Sequence, residues 1–216
     1  MERLPRASTV TTLVAALVLG TASVVNGGAA EPPTVELQVG VHSNLDPSNL
    51  ELARNTATAL LTSARIAAHW RDCGVEACTA APAGVVLVHV LSISKMTDAA
   101  ASAEVVRDGR TGIPTVLVYL PRIAELTRAI RRGSESRSTP VFATLEVGHL
   151  VGLAIAHEVG HALGLAHAPV GIMKARPSLD EILALRTSRL AFQKDEGERM
   201  RMALVTRSDS VVARAR

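Results

Sequence analysis

Residues 156–167 read Ala-His-Glu-Val-Gly-His-Ala-Leu-Gly-Leu-Ala-His, and no other stretch of this 216-residue chain restricts its folding as much. On a helix, His157 and His161 are four residues apart and project from one face, one turn from each other. That spacing suits two imidazole nitrogens on one Zn2+ at about 2.0–2.1 Å. Glu158 follows the first of them, where it can reach a water on the metal rather than the metal itself. Gly164 can adopt a left-handed conformation and end the helix. The chain can then turn sharply and bring in His167 as a third ligand. Three protein ligands leave a coordination position open, which separates a catalytic zinc site from a closed structural one. A His-Glu-x-x-His pattern arises by chance often enough to carry little alone. Gly164 and His167 at fixed offsets, with Leu153, Ala154, Ile155, Val159, Ala162, Leu163 and Leu165 to embed the other face, point to a metal site.

The rest of the chain must supply a scaffold for that helix. Residues 35–42 alternate, with Val35, Leu37, Val39 and Val41 on one face, which predicts a strand with one side buried. Asp46-Pro47 opens a helix, with Asp as cap and Pro in the first turn. The spacing of Leu50, Ala53, Ala57, Leu60, Leu61, Ala64 and Ala68 predicts that it continues to about Trp70. Residues 85–91 are continuously apolar, as in a central strand. Asp108-Gly109 and Thr111-Gly112 predict a turn between strands at 103–107 and 114–120. Residues 123–132 read as a helix stopping at Gly133, and Pro140 as the start of a long helical stretch reaching Gly164. Ser178-Leu179-Asp180-Glu181 has capping-box spacing, and residues 193–205 predict a last helix. The pattern is that of an α/β layer domain, without internal repeats.

Composition narrows the setting. With 48% apolar but only 2% aromatic residues, the core must be built from Ala, Val, Leu and Ile. A net charge of +3 is too small a surplus to suggest nucleic-acid binding. Residues 1–30 have the order of a secretory signal peptide: Arg3 and Arg6, an apolar stretch over 10–19, then Gly27-Gly28-Ala29-Ala30, with cleavage after Ala30. The other reading of that segment is an uncleaved membrane anchor. Its apolar core is short of the roughly 18–20 residues that a spanning helix wants, so no stable membrane insertion is expected after cleavage. On this division, residues 31–205 form the folded domain and 206–216 a solvated basic tail. Cys73 and Cys78, the two cysteines, sit close enough to form a small disulfide loop in an exported protein. A zinc knuckle would need a second pair.

His157-Glu158-x-x-His161-x-x-Gly164-x-x-His167, followed by Gly171-Ile172-Met173, resembles the metzincin clan of zinc metallopeptidases, and within it the matrixins. The matching segment spans residues 156–173. The resemblance implies a zincin-like α/β (α+β) fold: a mixed, mostly parallel sheet, a long packing helix, an active-site helix and a helical C-terminal subdomain. It implies one catalytic Zn2+ on His157, His161 and His167, with Met173 in a tight turn beneath the metal. Glu158 is then the general base that passes a proton to the leaving amine. A peptide or protein substrate would lie as an added strand on the sheet edge, formed by residues 115–120 or by Val105 and its neighbours. The link from Ala168 to Ile172 is shorter than in matrixins, and Ala175 stands where astacins and serralysins place a metal-binding Tyr. Two other readings of the same residues are a non-catalytic zinc-binding module and another zinc hydrolase, such as a cell-wall peptide amidase. His149, eight residues before His157, could approach the cleft or simply pack. Tyr119 could offer its hydroxyl there or pack, and His42, His69 and His89 read as structural.

Overall fold

A computed structural model describes residues 31–73, 85–94, 101–107, 109, 111–135 and 140–214. The expected export segment, residues 1–30, lies outside them, as does Cys78 and with it the expected disulfide loop. Strands β1 (Thr34–His42), β2 (Ala67–Asp72), β3 (Val85–Leu91), β4 (Ala103–Arg107) and β5 (Pro114–Tyr119) form one sheet in the order β2-β1-β3-β5-β4. Every pairing is parallel except β4 with β5. Helices α1 (Pro47–Ser63), α2 (Leu120–Glu135), α3 (Val147–Ala162), α4 (Leu179–Arg186) and α5 (Lys194–Arg214) complete the fold. This is the α/β layering that the sequence pattern predicts, with the mixed, mostly parallel sheet that the resemblance implies.

Alternating valines make the inner face of the sheet: Val35, Leu37 and Val39 of β1, Val86, Val88 and Val90 of β3, and Val116 and Val118 of β5 are all buried. Against them lies the apolar stripe of α1, including Ala53, Ala57, Leu60 and Leu61, and the long buried face of α3. Asp46 caps α1 by accepting from the Ser48 amide at 2.8 Å, with Pro47 in the first turn. Helices α1 and α3 touch through backbone. A Cβ on Gly148 would stand 2.5 Å from the Asn49 carbonyl oxygen, and one on Gly152 would stand 2.5 Å from that of Ala53. The Asn49 side chain also accepts from the Gly148 amide at 2.8 Å, fixing the start of α3 on α1.

Three boundaries differ from expectation. First, α1 stops at Ser63, and residues 67–72 form β2 rather than the end of a helix. Arg65 has φ 56° and breaks the helix without a glycine. The Ala67 amide then bonds the Pro33 carbonyl at 3.0 Å, beginning the pairing with β1. Ala64 and Ala68 fit the helical period, but alanine suits either state, so the apolar spacing alone does not mark the stop. Second, Pro140–Phe142 is a single 3-10 turn and α3 begins only at Val147. There the Glu146 amide donates to His149 Nδ1 at 3.1 Å, capping the new helix. Third, α2 runs through Gly133 to Glu135. The edge beside α3 is β4, with β5 inside the sheet, so Val105 and its neighbours are the edge and residues 115–120 are not.

Helix α5 continues to Arg214, beyond the end at residue 205 that the sequence pattern predicts for the last helix. It crosses the carboxyl ends of the two core helices. Arg201 donates to the Ala64 carbonyl at 2.6 Å, just past α1, and Arg207 donates to the Ala162 carbonyl at the end of α3. Cations there complement the negative helix terminus. Among the described residues, no helix is long and apolar enough to cross a membrane.

Candidate metal centre

The carboxyl end of α3 is closed by backbone. The Gly164 amide bonds the His161 carbonyl at 3.0 Å and the Leu165 amide bonds the Gly160 carbonyl at 2.9 Å, the paired bonds of a Schellman motif. Gly164 holds φ +92°, which an L side chain rarely adopts. The chain therefore doubles back under α3 and presents His167 to the face that carries His157 and His161. The Ala168 amide then bonds the Met173 carbonyl at 2.9 Å, closing the loop into a turn. Met173 is fully buried beneath the helix. A Cβ on Gly160 would come within 2.5 Å of its sulfur, so the missing side chain at 160 is what admits Met173.

The returning loop also sets the histidine rings. His157 Nδ1 donates to the Ile172 carbonyl at 2.7 Å, and His161 Nδ1 donates to the Leu165 carbonyl at 2.8 Å. A carbonyl only accepts, so each Nδ1 carries its proton and each Nε2 presents a lone pair. Those Nε2 atoms face one another: His161 Nε2 lies 3.0 Å from His157 Nε2 and 3.1 Å from His167 Nε2. All three ligating atoms fall within 4.8 Å of one another. Lone pairs pointed at each other repel, and a cation at their focus removes the conflict. A tetrahedral Zn2+ with bonds of about 2.0–2.1 Å sets its ligands about 3.3 Å apart, close to the spacing here. The three histidines thus fit a metal ion in number, type and distance, and His157 and His161 fit it in tautomer as well.

Electrostatics favours the same state. Burial, only partly offset by the bond to Ile172, pulls His157 down to about 4, and the neighbouring histidines push it further that way. His161 is lowered by burial too, against its bond to Leu165. Both rings are therefore neutral near pH 7, the form that binds metal. Glu158, one residue beyond His157, is buried at 7% exposure.

The remaining candidates stand elsewhere. His149 contacts the Glu146 amide and the Arg186 guanidinium, and is not one of the three converging rings. Burial and then Arg186 lower its pKa. Tyr119 is buried, bonds Glu104 across β4 and β5, and is pushed up to about 12, first by burial and then by that carboxylate. His42 and His89 pair on neighbouring strands, Nε2 to Nδ1 at 3.0 Å. Sequence reasoning missed Gly160. Its signal is present in the spacing of Gly148, Gly152, Ala156 and Gly160, small residues every four along one helix.

The fold and site together define an α/β chain with a three-histidine centre able to hold a metal ion. No family model matches the chain, and no curated protein matches it. Among solved structures, archaemetzincin from Methanopyrus kandleri is similar to 80% of this chain over 96% of its own length, with 12% identity and a TM-score of 0.48.

Proposed function

We propose that the chain is an exported zinc-dependent endopeptidase of metzincin type. The observation that carries this reading is the convergence of three histidine Nε2 atoms, two of them turned inward by carbonyl bonds to the loop that bears the third histidine. Three imidazoles form the ligand set of an open zinc site. Zinc bound there supplies Lewis acidity, polarising a peptide carbonyl and bringing a water's pKa towards about 7. Glu158 takes the proton from the attacking water and delivers it to the departing amine nitrogen. Its place directly after His157 and its burial support the role. Met173 forms the apolar floor. Substrate pairs with the outer side of β4, which borders α3 and, among the described residues, has β5 as its strand partner. Residues 1–30 serve as the export signal, and residues 31–205 contain the catalytic domain.

The test is peptide cleavage by the full chain beside its Glu158→Ala variant and a chelated sample, with zinc measured in each. We expect about one zinc per chain in the wild type and in Glu158→Ala, and cleavage only in the zinc-loaded wild type. Equal cleavage by Glu158→Ala overturns the mechanism. One zinc without cleavage of a broad peptide library favours a binding module instead.

A further inference from the structure

Two guanidinium groups converge on one backbone oxygen at the carboxyl end of α3. Arg107, the last residue of the edge strand β4, donates from Nη2 to the Ala162 carbonyl at 2.7 Å, and Arg207 of α5 donates from Nη2 to the same atom. Ala162 directly follows His161 at the end of α3, and Arg107 is the last residue of the edge strand β4, so the shared acceptor lies one residue from a histidine of the centre. The carboxyl end of α1 offers an internal control. There, among the described residues, Arg201 is the one guanidinium that bonds the Ala64 carbonyl. A helix terminus carries the equivalent of roughly half a negative charge, which one guanidinium already exceeds. The second at α3 is surplus to capping.

Among the described residues, no carboxylate is seen to neutralise that surplus. The ion pairs among the described residues employ Arg54, Arg71, Arg122, Lys174 and Arg199, and neither Arg107 nor Arg207. The two cations are held against their mutual repulsion, Arg207 half-buried and Arg107 exposed. Burial and the Arg107 charge both disfavour the cationic form of Arg207. Each guanidinium has five N–H donors in a fork that matches a carboxylate, and the Ala162 oxygen accepts from one nitrogen of each. An anion between them relieves the repulsion and uses the spare donors.

We propose that Arg107 and Arg207 form a subsite for the side-chain carboxylate of a peptide lying along β4. The proposal rests on the peptidase reading for its substrate and gives that substrate a chemical class, acidic peptides.

The test compares end-blocked peptides containing Asp or Glu with their Asn or Gln counterparts, and with neutral peptides that have a free C-terminus. With the full chain, we expect the acidic set to be cleaved with about tenfold higher kcat/KM than the amide set, chiefly through KM. Arg107→Gln and Arg207→Gln should each bring that ratio towards one, while Arg107→Lys keeps part of it. Because Arg207→Gln can weaken the end of α3, the exposed Arg107 is the deciding position and the ratio, rather than the absolute rate, is read. Binding of a labelled acidic peptide to Glu158→Gln, measured by anisotropy, gives a readout independent of turnover. It should weaken about tenfold with Arg107→Gln and weaken with salt. A wild-type ratio near one, a ratio unmoved by Arg107→Gln, or a preference only for free C-termini overturns the proposal. If no peptide is cleaved yet acidic peptides bind and Arg107→Gln abolishes it, the subsite stands and the peptidase reading falls.

Discussion

The amino-terminal half of α3 meets its neighbour through bare backbone, whereas the carboxyl-terminal half meets the returning loop through histidine rings and carbonyl oxygens. At Gly148 and Gly152 the requirement is negative: no atom beyond Cα fits against α1. At His157 and His161 it is positive: each ring needs a particular acceptor on a particular side. The first half can fail only by losing the fold. The second can lose its chemistry while the fold survives. Variants that separate these two kinds of failure test whether one helix carries two independent tasks.

The largest effect is expected at Glu158, which the proposed mechanism assigns to the second task. Glu158→Gln keeps size and polarity but cannot accept the proton, and general acid–base catalysis is typically worth about 10²- to 10⁴-fold. We expect kcat/KM to fall by that range, with zinc stoichiometry and the melting temperature held. A matching loss of stability would show that the carboxylate is part of the packing and that the division of α3 is false.

Gly152→Leu addresses the opposite half. Its Cβ would lie 2.5 Å from the Ala53 carbonyl oxygen and 2.6 Å from the Thr56 Cβ, and helix backbones cannot yield as a side chain can. Overpacking of this kind costs about 1–3 kcal/mol and at times more. The denaturant midpoint should drop accordingly, while the molecules still folded bind zinc one to one. Gly160→Ala lies where the two halves meet. Its obstacle is the Met173 sulfur at 2.5 Å, the far end of a flexible chain, so the fold should lose only about 1 kcal/mol. The displaced Met173 is continuous with the Ile172 carbonyl that orients His157. Zinc affinity should therefore fall about tenfold, the usual cost of disturbing a ligand's support. Full stability loss with unchanged zinc affinity would move Gly160 into the packing half.

The same division explains what was legible beforehand. The positive requirements are written as residue types: two histidines a turn apart, a glycine at the helix end, a third histidine, a buried methionine. Strands with alternating valines, such as β1 and β3, are legible for the same reason, since one face must be buried. The close approach of α1 and α3 depends on atoms that are absent, and Gly148, Gly152 and Gly160 each look like ordinary weak points in a helix. The end of α1 is hidden too. Arg65 takes φ 56° with no glycine to announce it, and the alanines around it suit a helix or a strand. Arg107 and Arg207 are a hundred residues apart, and only the fold brings them to one carbonyl.

A smaller, pH-dependent effect tests whether the loop half is secured from outside α3. Glu181 lies in the first turn of α4, where its Oε2 accepts from the Ser178 amide at 2.8 Å and from Lys174 Nζ at 2.9 Å. Lys174 is the residue after Met173, so this carboxylate ties α4 to the turn beneath the histidines. The Ser178 hydroxyl first, and then Lys174, against some opposing burial, hold Glu181 at about 2, below its ordinary 4.5. The folded state thus favours the charged form, and the unfolded chain takes up the proton first as pH falls. Stability from this group is complete above about pH 5 and is lost between pH 5 and pH 2. Glu181→Gln, which keeps an oxygen for the Ser178 amide but removes the charge, should cost about 1 kcal/mol at pH 6, the scale of a helix cap. At pH 3 the difference should shrink markedly. If zinc affinity at pH 6 falls along with stability, the turn under the metal is held from α4 as well as from α3. If stability falls and affinity does not, the bonds from His157 and His161 to the loop are sufficient by themselves.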